Sequence, residues 1–161
     1  MPLEVDIIVE AEGWNAVADI DALARRAAAA AVDIDDAEIE DGEALDILLC
    51  DDARIRELNR NFRGLDKPTN VLSFPAPDMP GQSALGDIAV AWETVSREAL
   101  AEGKTVADHF AHMVVHGVLH LLGHDHEMDG EAEEMEALER AALKGLGIAD
   151  PYGDDVAEQA P

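Results

Sequence analysis

Six histidines lie in the run His109-Phe-Ala-His112-Met-Val-Val-His116-Gly-Val-Leu-His120-Leu-Leu-Gly-His124-Asp-His126. Imidazole binds transition metals as the neutral ring and exchanges a proton near neutral pH. Two histidines four apart on a helix differ by about 40° around the axis and about 6 Å along it, so both reach one ion. His116 and His120 meet that condition. Gly123 can take the left-handed conformation that ends a helix and turns the chain back, and His126, three residues later, then supplies a third ligand. Three neutral imidazoles leave one tetrahedral position open, which marks a catalytic rather than a structural zinc site. The expectation is Zn2+ on His116, His120 and His126, with other divalent transition metals also accepted by such a donor set. A set of His112, His116 and His120 competes, but successive four-residue steps drift around the helix. Asp125 either accepts the ring N–H of a ligating histidine or caps the next turn. His124 has no position that the geometry demands, and His109 reads as structural or surface.

The spacing H-x3-H-x2-G-x2-H is that of the metzincin peptidases, whose motif is HExxHxxGxxH. Where that motif carries its glutamate, the general base, this chain has Gly117. A zinc peptidase is therefore an alternative that lacks its proton-transfer group.

These residues need elements to hold them. Residues 3–10 alternate apolar and polar and read as a strand. Trp14 to Val32 is Ala-rich with helical spacing, with Asn15 or the glycine before it as a cap. Residues 44–50 form a second strand, after which Asp51 or Asp52 caps a helix through Phe62 that Gly64 ends. Residues 70–74 make a third strand, 75–84 a Pro/Gly-rich loop and 85–91 a fourth strand. Helices follow over 93–102, 104–122 and 128–146. Four strands with several helices, not in strict alternation, predict one α+β domain over 1–149. The acidic stretch 150–161 reads as a flexible tail.

The net charge is −25, from 36 acidic and 11 basic residues. Polyanion binding draws on Lys and Arg, so this balance argues against phosphate-bearing partners. Arg54, Arg56, Arg60, Arg63 and Lys67 nevertheless gather within one short segment. They form either the one place where a polyanion docks or a solvated helix face. No apolar run is long enough to cross a membrane, the N-terminus lacks a secretory leader, and Cys50 is the single cysteine. These features point to a reducing cytoplasm without a membrane partner.

The block H-G-V-L-H-L-L-G-H-D-H, His116 to His126, closely resembles the YbeY family of rRNA maturation factors, single-strand-specific metallo-endoribonucleases. F-R-G-L-D-K-P-T-N-V-L-S-F-P (Phe62 to Pro75) and L-G-D-I (Leu85 to Ile88) are similar to that family's other blocks. The resemblance runs in order over about residues 45–145. It implies an α+β fold with a small four-stranded mixed sheet, about five helices and a metal site at the end of a central helix. It implies zinc on His116, His120 and His126, and hydrolysis of phosphodiester bonds in single-stranded rRNA. The implied role is maturation of the 16S rRNA 3′ end and ribosome quality control, with the small ribosomal subunit or assembly proteins as partners.

In this reading Arg63 and His116 are the catalytic residues, and Arg63 maps onto the family's phosphate-engaging arginine. A metal acidifies water and polarises a phosphoryl oxygen, while a bidentate arginine stabilises the charge that builds up in the transition state. Lys67 adds a point charge. Asn70, Ser73 and Thr69 either hydrogen-bond substrate or brace the strand beside the metal. A non-catalytic ribosome assembly factor is the remaining alternative. With so acidic a chain, RNA association is expected to be weak unless the site is locally positive or the ribosome presents the RNA.

Overall fold

The computed structural model describes residues 3–36, 43–76, 84–124 and 128–152. Val5 and Ile7 alternate with Glu4 and Asp6, and this segment forms strand β1, Glu4–Val9. Leu45, Ile47 and Leu49 are buried along β2, Ala44–Cys50. β3 spans Val71–Pro75 and β4 spans Ala84–Ala91. The sheet order is β1-β2-β4-β3. β1, β2 and β4 run parallel, and β3 pairs antiparallel with β4 at the edge.

Helix α1 is Ile20–Asp35, α2 Asp52–Arg63, α3 Trp92–Glu102, α4 Val106–Leu121 and α5 Asp129–Gly145. The expected α+β fold, with a four-stranded mixed sheet and five α-helices among the described residues, is thus observed. The main core lies between one sheet face and α1, α4 and α5. Ala24, Ala27, Ala28 and Ala31 of α1 are fully buried against it, and their small side chains let α1 lie close along α4. On the second face Ile55 and Leu58 of α2 cover Cys50, Leu72, Ala89 and Ala91. Among the described residues no helix is long and apolar enough to cross a membrane.

The helix expected from Trp14 begins later. Glu12–Ala16 is a short 3-10 turn, and α1 starts at Ile20 after Asp19, whose φ of 51° is left-handed. Trp14 explains the break. Its indole is fully buried, meets Trp92 edge to face and Phe110 at a tilt, and donates from Nε1 to the Cys50 carbonyl at 2.9 Å. A chain that sends this side chain under the sheet must turn before it can run along it.

Two close approaches fix the sheet against α4. Gly86 has φ 147°, and a Cβ there would meet the Phe74 carbonyl oxygen at 2.4 Å. The glycine of the L-G-D-I block is therefore demanded by β3 lying across it. Gly117 on α4 faces Ile88 and Ser73, so no side chain separates helix and sheet at that point.

Candidate metal centre

α4 carries the histidines because it is the central helix. From His109 to Leu119 every residue except His116 is buried. A helix that is apolar around most of its circumference belongs in the core. Its N-terminus is capped by Thr105, whose Oγ1 accepts from the Asp108 amide at 3.1 Å. At the other end the Gly123 amide bonds the His120 carbonyl and the His124 amide bonds the Leu119 carbonyl, both at 3.0 Å. Gly123 supplies the left-handed residue of this Schellman-type ending at φ 103°. The last two turns before it present His116 and His120, half-buried, with ring centroids 5.0 Å apart and planes at 76°. A helix C-terminus favours a cation. The third expected ligand, His126, and Asp125 beside it lie outside the described residues. Among the described residues, no group of three potential ligands is arranged to hold a metal. His116 and His120 fit two corners of an imidazole site, and the chemistry of this pair suits zinc.

The rest of the histidine run has other partners. His109 is buried and its Nε2 meets Glu98 at 2.8 Å. Burial holds its pKa below the ordinary histidine value, against the pull of Glu98. His124 Nε2 pairs with Asp35 at the end of α1, 2.5 Å away. His112 turns Nε2 to Glu139, and its Nδ1 is buried without a hydrogen-bond partner. Nε2 of His112 is thus engaged by Glu139, and the competing set of His112, His116 and His120 is not arranged to hold a metal.

Glu139 is the residue that sequence reasoning missed. It lies on α5 in a stripe with Met135, Ala142 and Leu143, and is only 1% exposed. Oε1 meets His112 and accepts from the Tyr152 hydroxyl at 2.9 Å, while Oε2 lies 3.2 Å from His116 Nδ1. Burial pushes its carboxyl up, but the hydrogen bonds from His112 and then His116 outweigh that and hold it at about 2. Burial, reinforced by Glu139, raises the Tyr152 phenol far above its ordinary value, so it stays a donor. The available signal was a glutamate at an apolar position of the α5 period. Tyr152 falls in the segment expected to be a flexible tail, yet residues 150–152 pack back on α5. Arg140 bonds Asp150 at 3.2 Å and stacks over the Tyr152 ring at 5.2 Å.

The other expected site residues lie on β3, at the end of α2 and in the segment between them. Ser73 Oγ donates to the Gly117 carbonyl at 3.2 Å. The Asn70 amide is engaged at both ends, donating to Glu98 at 3.0 Å and accepting from the Val71 amide at 2.7 Å. Thus both side chains brace β3 within the protein. Within the basic cluster, Arg54 pairs with Glu10 and Glu57, and Arg56 and Arg60 pair with Asp66. Arg63 and Lys67 are exposed and make no ion pair among the described residues. Arg63 ends α2 on the second sheet face. It is linked to the histidines by a chain of contacts over the β3 edge. Phe62 packs on Phe74 at 5.3 Å, and Ser73, next to Phe74, touches the Gly117 carbonyl beside His116.

Comparison with known proteins agrees with this architecture. The family described as Endoribonuclease YbeY matches residues 10–147. A protein of that name from Azorhizobium caulinodans is 57% identical over 153 residues, covering 93% of this chain and 96% of its own length. One from Nitrobacter winogradskyi is 56% identical over 155 residues, covering 91% of this chain and 80% of its own. The solution structure of a Thermotoga maritima protein superposes with a TM-score of 0.58 at 25% identity, covering 96% of this chain and 93% of that one.

Proposed function

The chain belongs to the endoribonuclease YbeY family of nuclease hydrolases, and from that premise we propose that it is a zinc-dependent endoribonuclease acting on single-stranded rRNA. The substrate is the 3′ region of precursor 16S rRNA, and the setting is cytoplasmic, with the small ribosomal subunit or assembly proteins presenting the RNA. The zinc is held by His116, His120 and His126. When bound it supplies Lewis acidity towards phosphate and brings the pKa of water towards neutrality.

The protein's own groups do the rest. Arg63 grips non-bridging phosphate oxygens through its planar fork, a contact that strengthens as negative charge builds up in the transition state. Lys67 contributes a second positive charge to the same strand of RNA. Glu139 holds His116, and Ser73 with Asn70 hold β3 so that the α2 end and the α4 end keep their spacing. The observation that carries phosphodiester rather than peptide hydrolysis is Gly117. There the helix rests on the sheet, and any side chain at this position would meet Ile88 Cδ1 at 2.9 Å and Ser73 Oγ at 3.1 Å.

The test is cleavage of single-stranded rRNA by zinc-loaded protein, set beside Arg63→Ala and His116→Ala. Arg63→Ala is expected to lower kcat/KM on the order of 10²-fold, the effect of removing one transition-state charge contact, and His116→Ala to abolish cleavage. Undiminished cleavage by both variants would sink the assignment. Casein hydrolysis by the parent but not by His116→Ala would turn the reading to a peptidase.

A further inference from the structure

The Glu139 network connects a histidine at the candidate metal centre to the chain beyond the family match, which ends at residue 147. A carboxylate that is 1% exposed in an apolar stripe is costly to desolvate unless donors surround it. Three donors do so here. His112 and the Tyr152 hydroxyl share Oε1, and His116 Nδ1 faces Oε2 at 3.2 Å. This division of labour fixes the rotation of the carboxylate. With two groups holding Oε1, Oε2 has one orientation, towards His116. An imidazole that donates its Nδ1 hydrogen to a carboxylate keeps its lone pair on Nε2, and the contact fixes the direction in which that lone pair points.

We propose that Glu139 is a positioning residue for His116, setting the tautomer and ring orientation with which this histidine binds zinc, and that Tyr152 locks Glu139 in that role. The C-terminal segment carrying Tyr152 is thereby part of the metal-binding apparatus. Asp150 anchors it by accepting from the Tyr152 amide at 2.8 Å and from Arg140 at 3.2 Å. The inference rests on the zinc reading above. It differs from that reading in what it predicts, because it concerns residues that never touch the ion.

The experiment is zinc affinity of the full chain, measured by competition with a chromophoric chelator. Parent, Glu139→Gln, Tyr152→Phe and His116→Ala are compared, and the thermal midpoint of each metal-free protein is recorded alongside. Glu139→Gln keeps the shape and removes the charge. Zinc binding is expected to weaken roughly 10–100-fold in it and roughly 10-fold in Tyr152→Phe, the range found when the outer partners of a ligating histidine are lost. The cobalt-loaded forms of both variants should show shifted visible absorption bands.

If the parent holds zinc no more tightly than His116→Ala, the zinc reading itself fails. If the parent binds and the two outer variants bind equally well, the positioning role is overturned and the zinc reading stands. A fall in affinity matched by an equal loss of metal-free stability also overturns it, since that is the mark of a purely structural contact. Should Glu139→Gln not fold, Tyr152→Phe decides by the same criteria.

Discussion

Gly117 determines what His116 has beside it. Its missing side chain lets α4 rest on the sheet, where a Cβ would lie 2.9 Å from Ile88 Cδ1 and 3.1 Å from Ser73 Oγ. Ile88 is buried and Ser73 is tied to the Gly117 carbonyl, so neither yields easily. Overpacking of this kind costs about 1–3 kcal/mol, and replacing a helical glycine by alanine returns about 1 kcal/mol of propensity. Gly117→Ala should therefore lose about 1 kcal/mol. Gly117→Glu, which adds a buried charge to the same clash, should lose more than about 3 kcal/mol and gain no peptidase activity. Urea denaturation midpoints decide the matter. Three equal midpoints would mean that α4 does not touch the sheet at this residue. The contrast with the metzincin spacing thus has a steric side: the histidine spacing matches, but a side chain at position 117 would press on Ile88 and Ser73.

Between elements, the N-termini of α2 and α3 cap each other. Asp51 caps α2 through the Arg54 amide at 2.8 Å, one of the two alternatives open from sequence. The other, Asp52, instead accepts from the Thr94 amide at 3.1 Å and from the Thr94 hydroxyl at 2.7 Å. It supplies the side-chain cap that α3, preceded by Ala91, lacks. Glu93 of α3 returns the contact by accepting from the Asp52 amide at 2.8 Å. Asp52→Ala is expected to cost about 1–2 kcal/mol, a full cap lost by a neighbouring helix, with an unchanged denaturation midpoint as the contrary result. Local signals of this type were legible in the sequence because they act over three or four residues: the strand alternation of Val5 and Ile7, the Asp51 cap and the Gly123 stop. What was hidden is contact across the fold. Trp14 broke an apparently continuous helix because of Cys50 and Phe110, far along the chain. Glu139 was invisible as a partner of His112 and His116 because helical periodicity marks a position as buried without saying what lies opposite. Tyr152 sat in a segment whose composition reads as tail, and only its ring and hydroxyl contacts bring it into the structure.

At the scale of the whole molecule, the charge of −25 sets how RNA is held. Three of the five clustered cations pair with Glu10, Glu57 and Asp66, so among the described residues the segment from α2 to β3 leaves Arg63 and Lys67 without an ion pair to meet a strand of RNA. Each phosphate neutralised on a single strand contributes about −0.7 to the slope of log Kobs against log salt, which gives about −1.4 for two contacts. The repulsion between RNA and the remaining surface acts in the opposite sense, because added salt screens it. Binding of a single-stranded rRNA fragment should therefore be weak, with a salt slope no steeper than about −1.4, and Arg63→Ala should reduce that slope towards half. Fluorescence anisotropy titrations between low and physiological salt measure both quantities. A slope steeper than about −4 would require a basic surface well beyond this pair and would contradict recognition through them alone. A shallow slope has a mechanistic consequence. On the proposed reading, an enzyme that cannot gather RNA by charge would have to receive it already positioned, and specificity would lie with whatever presents the strand.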